Sequence, residues 1–242
     1  MLDVNAVACR NVLRRQNVVE FDIVAKAMQT RRSVRGFLPK PVDIDTISKI
    51  LSVASYAPSG SNIQPWQVHV VMGKRRDELS NLLLGAFNKQ EPSTREYEYY
   101  PVRWRTPYIE RRRESGWGLY QTLGIKKGDR QASSEQHGMN FKFFGAPVVL
   151  IFTIDSDLEK GSWLDYGMFL QNIMVAARGC GLHTCPQAAV ANYPQVIKRY
   201  LGIGEEQVVV CAISLGYEDP DCAANQFRAS RVAVDDFAKF YV

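Results

Sequence analysis

Two groups of arginines near opposite ends of the chain are the residues whose chemistry is easiest to interpret. A guanidinium carries a permanent charge and donates hydrogen bonds in a fork that matches the oxygens of a phosphate or carboxylate. Two arginines at a helix end also favour the helix dipole, so the first pair alone has a structural explanation. A third arginine, with a serine before it, favours binding of an anion or a ring carbonyl. The full set is Arg31, Arg32, Ser33, Arg35, Arg228 and Arg231.

A polar loop lies about thirty residues after the first arginine group. It is held between two prolines and leads directly into an apolar segment that begins at Trp66. Small hydroxyl and amide side chains of this kind hydrogen-bond well to a heteroatom-rich ligand. A simple turn between a helix and a strand has the same composition, so both interpretations stay open. The candidate ligand residues are Pro58, Ser59, Ser61, Asn62 and Gln64.

Conventional catalytic motifs are absent from the sequence. There is no Gly-x-Ser-x-Gly elbow, His-Glu-x-x-His pair, P-loop or Gly-x-Gly-x-x-Gly turn. The three histidines are far apart, and no cysteine–histidine set has zinc spacing. Cys185 has no base near it in sequence, so a packed thiol is favoured over a nucleophile. Anion-binding and amide groups without an acid, base, nucleophile or metal set favour an enzyme whose cofactor carries the reaction.

The composition limits the class of partner. With 242 residues, 46% hydrophobic content and a net charge of +5, the chain suits one domain that binds phosphate-bearing small molecules. Residues 88–140 interleave aromatic residues with arginines, as single-strand nucleic-acid binders do, but glutamates 96, 98, 110 and 114 argue against a nucleic-acid partner. Five scattered cysteines predict reduced thiols in the cytoplasm. The longest apolar runs are too short for a membrane span, and no secretory signal is visible.

Apolar periodicity predicts an α+β fold, in which a small mixed sheet is surrounded by helices. Residues 1–19 are predicted to be an N-terminal arm, and 88–140 an insertion that packs over a pocket mouth. The predicted strands are 67–72, 147–154 and 207–215, with 183–189 a strand or loop. The predicted helices are 20–30 with a buried face, 43–54 with Asp43 as N-cap, 74–87, 108–123, 129–144, 162–181 and 193–201.

The helix at 162–181 is apolar on almost every side between Tyr166 and Ala177. Such a helix must be buried on all sides. In a chain of this length, packing against a second copy of itself is the economical solution, which predicts a homodimer. A central core helix of a monomer is the alternative.

These motifs together resemble the FMN-dependent nitroreductase family. The resemblance rests on Arg-Arg-Ser-Val-Arg-Gly-Phe at 31–37, on Pro-Ser-Gly-Ser-Asn-Ile-Gln-Pro-Trp at 58–66, and on Gly-Leu-His-Thr-Cys-Pro at 181–186. It extends to the tail through Gly216, Tyr217, Asn225, Arg228 and Arg231, and covers about residues 20–240. The aromatic and arginine-rich insertion is similar to that of the subgroup acting on nitrobenzoate or nitrobenzene.

The resemblance implies an intertwined homodimer with FMN tightly bound at each of two subunit interfaces. Arg31, Arg32, Ser33 and Arg35 would meet the ribityl chain, the phosphate and the pyrimidine edge, and Arg228 and Arg231 would clamp the phosphate. The loop residues Pro58, Ser59, Ser61, Asn62 and Gln64 would come from the other subunit. The turn Pro186, Gln187, Ala188 and Ala189 would lie over the flavin, with the backbone N–H of Ala188 near N5.

The implied activity is reduction of small, flat nitroaromatic compounds to nitroso and hydroxylamine products by NAD(P)H, with ping-pong hydride transfer. No protein side chain is required as a catalytic acid. Related flavin enzymes that reduce flavins or quinones, remove halogens or cleave reduced FMN are the alternatives within this fold. A basic binding protein without catalysis is the alternative outside it.

Overall fold

The structure, a computed structural model, describes residues 19–242. All of the predicted N-terminal arm except residue 19 lies outside this range. Seven α-helices lie within it: α1 (19–30), α2 (Ile44–Ala54), α3 (Gly73–Asn88), α4 (Tyr108–Thr122), α5 (Arg130–Gly138), α6 (Lys160–Gly179) and α7 (Pro194–Leu201). Four strands accompany them: β1 (Gln67–Met72), β2 (Val148–Asp155), β3 (His183–Gln187) and β4 (Gln207–Gly216).

The four strands form one sheet in the order β1-β2-β4-β3. All three strand pairings are antiparallel, so the prediction of a mixed sheet is wrong for these strands. Within residues 19–242, parallel pairing is limited to one isolated bridge between Ser33 and Thr184. β3 therefore has a named strand on one side only, and its other side is free for the arginine segment.

Each face of the sheet packs on its own set of helices, which confirms the α+β class. Alternation along β2 sends Leu150 and Phe152 into the core beneath α2 and α6. Val149 and Ile151 point the other way, into the core beneath α3 and α7. All four side chains are fully buried, as predicted for a strand covered on both faces.

The cap of α2 follows the sequence prediction. Asp43 precedes the helix with an extended backbone, and its carboxylate accepts a hydrogen bond from the Thr46 N–H at 2.6 Å. This satisfies a backbone donor that has no partner inside the helix. Ile47 and Ile50 on the inner face are buried, while Ile44 at the first turn is exposed.

Two helix predictions need correction. α5 ends at Gly138 instead of Phe144, because Phe143 and Phe144 adopt φ of 52° and 53° and turn their rings into the interior. The helix α1 is present, but its predicted buried face is wrong for the single chain: Phe21 is 72% exposed and Met28 is 53% exposed. Leu164 of α6 is likewise 71% exposed. None of the helices within residues 19–242 is long and apolar enough to cross a membrane.

Candidate functional site

The first arginine group lies along the free edge of β3. The N–H of Val34 donates to the Thr184 carbonyl at 3.0 Å, and the N–H of Leu38 donates to the Tyr217 carbonyl at 2.9 Å. Val34 and Phe37 are buried against Phe144, which fixes the direction of the segment. Arg31, Arg32 and Arg35 are only half-buried, so part of each remains accessible to a ligand at the sheet edge.

Asn225 joins the C-terminal tail to this segment. Its Oδ1 accepts a hydrogen bond from the Arg35 N–H at 2.7 Å, and its Nδ2 donates to the carbonyls of Gly36 at 2.8 Å and Asp219 at 2.9 Å. The side chain is 2% exposed, so these bonds are shielded from water. The tail that carries Arg228 and Arg231 is therefore held in a fixed position beside the first arginine group.

Gly36 is required for this contact. A Cβ atom at position 36 would lie 2.3 Å from the Cys222 Sγ and 2.5 Å from the Cys222 Cβ. The Cys222 thiol donates weakly to the Arg35 carbonyl at 3.6 Å. The close approach of the two segments depends on the missing side chain.

The two arginine groups line one cavity of about 500 Å³, between the end of α1, the 31–35 segment and the tail. The structure therefore brings the two predicted groups together, although they are far apart in sequence. Ser115 of α4 also borders the cavity, so the insertion contributes to its wall. The predicted residues on its surface are Arg31, Arg32, Ser33, Arg35, Arg228 and Arg231.

The cavity concentrates positive charge, and within residues 19–242 only one of its five arginines, Arg32, forms an ion pair with a carboxylate. Burial lowers the pKa of the Arg31 guanidinium, and the nearby Arg231 charge lowers it further. Within residues 19–242, no carboxylate forms an ion pair with Arg31, Arg35, Arg228 or Arg231. Arginines held together in this way repel one another, and an anion placed between them relieves the repulsion.

Arg32 differs from the other cavity arginines because it has a carboxylate partner. Its Nη2 donates to Oε1 of Glu218, which follows β4. The second oxygen of Glu218 lies 3.1 Å from Nε2 of His183. The same His183 nitrogen is 2.9 Å from Nη1 of Arg178. Arg32 is thus part of a charged network at the β3 edge.

The turn predicted at 186–189 overlaps the end of β3, which runs to Gln187, and it borders a second cavity of about 360 Å³. Pro186 and Ala188 line it, and the buried Gln187 uses its side chain internally, donating to the Asn140 carbonyl at 2.7 Å. Ala189 turns away into a short 3₁₀ helix and packs on the core. The opposite wall of the cavity is aromatic and comes from the insertion and α6: Tyr97, Tyr99, Trp163 and Tyr166.

The insertion is fixed to the sheet at its start. The Tyr97 hydroxyl donates to the Val210 carbonyl at 2.5 Å. Glu96 accepts from the Val209 N–H at 2.9 Å and pairs at 2.5 Å with Lys198, which is 2% exposed. Further on, α4 presses on the tail, and a Cβ at Gly118 would lie 2.5 Å from the Phe227 ring.

The polar loop is exposed and separate from both cavities in the single chain. Ser61, Asn62 and Gln64 have φ of 50°, 59° and 49°, a region that side chains other than glycine seldom adopt. The loop is supported by Asp165 of α6, which accepts from the Gly60 N–H at 2.9 Å. Ser59 accepts from the Gln64 N–H at 3.0 Å. Pro58, Ser61 and Asn62 face outward.

Cys185 lies behind the arginine segment as a buried thiol. Burial raises its pKa to about 11, and Arg35 and Arg31 only partly oppose this. The predicted packing of this thiol is observed, since Cys185 is 2% exposed. In the part of the chain that the structure describes, no group of three His, Cys, Asp or Glu side chains is placed to hold a metal ion.

Comparison with known proteins identifies this arrangement. The nitroreductase family model matches residues 28–217. The chain belongs to the nitroreductase family. A 4-nitrobenzoate reductase from Pseudomonas putida is 43% identical over 91% of this chain and 95% of its own length. A chloronitrobenzene nitroreductase from Comamonas testosteroni is 39% identical over 88% of this chain and 94% of its own.

A solved structure with a similar fold extends the comparison. The FMN-dependent nitroreductase NfnB from Mycobacterium smegmatis, solved in complex with NADPH, superposes with a TM-score of 0.88. It is 30% identical, and the match covers 91% of this chain and 99% of that one. Fold and sequence comparison therefore agree on the family.

Sequence reasoning did not assign a role to three residues that shape the site of this nitroreductase. Asn225 aligns the two arginine groups, Glu218 holds Arg32, and Asp165 supports the polar loop. Asn225 was visible as part of the tail motif, but its partners lie about 190 residues away in sequence. Glu218 and Asp165 carried no local signal that would separate them from surface carboxylates.

Proposed function

We propose that this nitroreductase binds FMN and uses NAD(P)H to reduce nitroaromatic compounds to nitroso and hydroxylamine products. The observation that carries the proposal is that the two ends of the β3 edge border two different cavities. At Thr184 the edge adjoins the arginine cavity, and at Ala188 it borders an aromatic cavity. Thr184 and Ala188, the residue after the end of β3, are four positions apart, which is about 13 Å at the usual rise along a strand. The edge suits a ligand with a phosphate at one end and a flat ring at the other.

The arginine cavity fits the phosphate of FMN. Arg31, Arg228 and Arg231 have no carboxylate partner in the described chain, so a phosphate supplies the missing negative charge. Arg35 and Ser33 lie nearer to β3 and would meet the ring edge and the ribityl chain. FMN supplies hydride-transfer chemistry when bound. The protein contributes a fixed cation beside the ring, where negative charge collects on reduction.

The turn at Pro186–Ala188 and the aromatic wall would hold the reacting molecules. Tyr97 is fixed by its hydrogen bond to β4, and Trp163 packs against it with ring centroids 4.7 Å apart. Rigid aromatic walls stack flat molecules and exclude water. One flat pocket suits the nicotinamide and the nitroarene in turn, which is the order of a ping-pong reaction. The Ala188 N–H is the donor proposed for N5.

A homodimer would complete each site. In one chain the polar loop carries outward-facing amides and hydroxyls that share no cavity with the arginines. α1 and α6 expose Phe21, Met28 and Leu164, apolar groups that a second copy would cover. We therefore propose that Pro58, Ser59, Ser61, Asn62 and Gln64 reach the cofactor of the partner subunit, in a protein of one domain with residues 88–140 over the site.

The cytoplasm is the proposed location. The four cysteines within the described residues are all free, including the half-buried Cys180 and Cys222. Free thiols are the usual state in a reducing compartment.

Anaerobic turnover tests the proposal. We expect the purified protein to be yellow, with absorbance near ~450 nm, and to oxidise NADPH or NADH when 4-nitrobenzoate or nitrobenzene is added. Quinone, free flavin and a halogenated phenol serve as rival acceptors in parallel. A colourless protein that gains no absorbance from added FMN would overturn the cofactor assignment. Faster turnover with a rival acceptor than with every nitroarene would overturn the substrate class.

A further inference from the structure

We infer that Glu218 is a positioning residue for the cofactor site, because it holds Arg32 in the orientation that the phosphate requires. The inference rests on the proposed binding of FMN at the arginine cavity. It concerns one of the cavity arginines only, since Arg32 alone among them has a carboxylate partner within the described chain.

The contact joins two parts of the chain that are 186 positions apart. Arg32 lies one residue before Ser33, which pairs with β3, and Glu218 lies two residues after the end of β4. The side chains are 27% and 15% exposed, so water competes weakly for their hydrogen bonds. A guanidinium held by a carboxylate on one side keeps its other N–H groups in a fixed direction.

Arg32 still has unused donors. It lines the cavity that contains the other arginines, and its buried Nε has no hydrogen-bond partner in the described chain. A buried donor without a partner is costly. An anion in the cavity would accept from the guanidinium while Glu218 keeps its place. The pairing therefore prepares Arg32 for an anionic ligand without neutralising the cavity.

Glu218 itself is supported from the other side. Its Oε2 lies 3.1 Å from Nε2 of His183, the first residue of β3. Arg178, at the end of α6, donates to the Leu182 carbonyl at 2.9 Å and approaches the same histidine nitrogen at 2.9 Å. Glu218 thus contacts Arg32 through one oxygen and His183 through the other, and Arg178 contacts the histidine, which limits the positions that the carboxylate can take.

A double-mutant cycle separates positioning from general structural support. The variants are Glu218→Gln, Arg32→Ala, Arg231→Ala and the two doubles that combine Glu218→Gln with each arginine change. FMN is titrated into the full-length protein after the bound flavin has been removed. The quenching of FMN fluorescence on binding gives the Kd for FMN. We expect Glu218→Gln to weaken FMN binding about tenfold, the effect of one charge-assisted hydrogen bond.

The cycle also predicts which pair is coupled. In the Arg32→Ala background, Glu218→Gln should raise the Kd for FMN by no more than about twofold. In the Arg231→Ala background, it should raise the Kd by its full amount. A general loosening of the cavity would instead act equally in both backgrounds. Equal effects in both, or an unchanged Kd for Glu218→Gln in the wild-type background, would overturn the inference.

The buried pair of Glu96 and Lys198 provides a matched control. Glu96→Gln removes a carboxylate from an ion pair that is also shielded from water but lies at the base of the insertion. We expect it to lower the Tm and leave the Kd for FMN within about twofold of wild type. If Glu218→Gln does not fold, Glu218→Asp keeps the charge with a shorter reach and is expected to follow the same pattern. Wild-type protein that does not bind FMN would contradict the proposed function itself, and not this inference alone.

Discussion

The arginine cavity and the polar loop of residues 58–64 are proposed to meet the same cofactor, but one chain builds them in opposite ways. The cavity is assembled from segments about 200 residues apart, and the buried Asn225 locks them together. The loop is local in sequence, exposed, and held in left-handed backbone conformations by its own hydrogen bonds and by Asp165. The contrast teaches that a chain can assemble one part of a binding site completely, here the arginine cavity. It can also hold a second part, here the polar loop, in a fixed conformation for use by a second copy of the chain.

The strongest way to break this comparison is to remove the charge of the cavity. Arg31→Ala combined with Arg231→Ala should weaken FMN binding by about a hundredfold or more, since two charge-assisted contacts are lost. Flavin retention during purification and an FMN titration give the result. The exposed Arg113 of α4, which lines neither cavity, provides the control: Arg113→Ala should leave the Kd unchanged. A loss of equal size in both proteins would mean that net charge alone attracts the flavin.

Mixed dimers test whether the two halves come from different chains. One subunit carries Arg31→Ala and Arg231→Ala, and the other carries Ser59→Ala and Asn62→Ala. Random pairing makes half of the dimers mixed, and each mixed dimer has one intact site, so about a quarter of wild-type activity should return. Each parent alone should be nearly inactive. Activity no higher than the sum of the parents would show that each chain builds its site by itself.

A smaller effect is expected from removing the side chain that holds the arginine cavity together within one chain. Asn225→Ala leaves the Arg35 N–H without its partner and removes one of the two hydrogen bonds to the Gly36 carbonyl, which keeps the Asp219 N–H. The loss should cost about 1–3 kcal/mol of unfolding free energy. Because the two arginine groups then lose their alignment, FMN binding should weaken by about tenfold. Denaturant unfolding and FMN titration measure the two quantities. Gln226→Ala, at the neighbouring exposed position, is the control and should change neither.

The smallest expected effect is on the pH dependence of stability. Burial lowers the pKa of His69, His137 and His183, and Arg178 contributes at His183. The folded chain therefore favours the neutral imidazoles, and the unfolded chain binds more protons below its ordinary pKa of about 6.5. The unfolding free energy should fall as the pH decreases from about 7.5 to 5.5.

Two histidine variants sharpen this last prediction. His137→Gln and His183→Gln should each reduce the loss of stability at low pH, as measured by denaturant midpoints. Only His183→Gln should also change FMN binding, because His183 contacts Glu218 beside the cavity, whereas His137 packs between the rings of Phe87 and Phe141. Equal changes in FMN binding would show that the two environments are not distinct.

Much of the fold followed from local patterns in the sequence. The apolar run at β2 predicted a strand covered on both faces, and Asp43 predicted the start of α2. The end of α5 was missed, because the burial of Phe143 and Phe144 depends on contacts that turn the backbone against its helical pattern. The antiparallel arrangement of the sheet was also missed. Strand direction depends on pairings between distant segments, and the periodicity of apolar residues carries no information about those pairings.

Candidate site residues could be predicted where the residue type itself indicates a ligand. They could not be predicted where a common residue type gains its role only from its neighbours in space. Three arginines with a serine among them predicted an anion site at 31–35, and the structure places this group and Arg228 and Arg231 around one cavity. Glu218 and Asp165 are ordinary carboxylates in sequence, and only their neighbours in space give them a role. The exposure of α1 was predicted wrongly for a related reason. Its apolar residues are spaced as on a buried helix face, but nothing in the single chain covers that face.

The anchoring of the insertion has a consequence for engineering. Glu96 and Tyr97 fix one end of it to β4 and α7, and the His137 and Phe87 rings, 5.5 Å apart, fix the other end to α3. Between these anchors, Ser115 borders the arginine cavity and Gly118 packs on Phe227 of the tail. Segments from relatives with other acceptor preferences, transplanted between positions 98 and 129, are expected to change selectivity and to leave the proposed flavin site intact if Ser115 and Gly118 are kept.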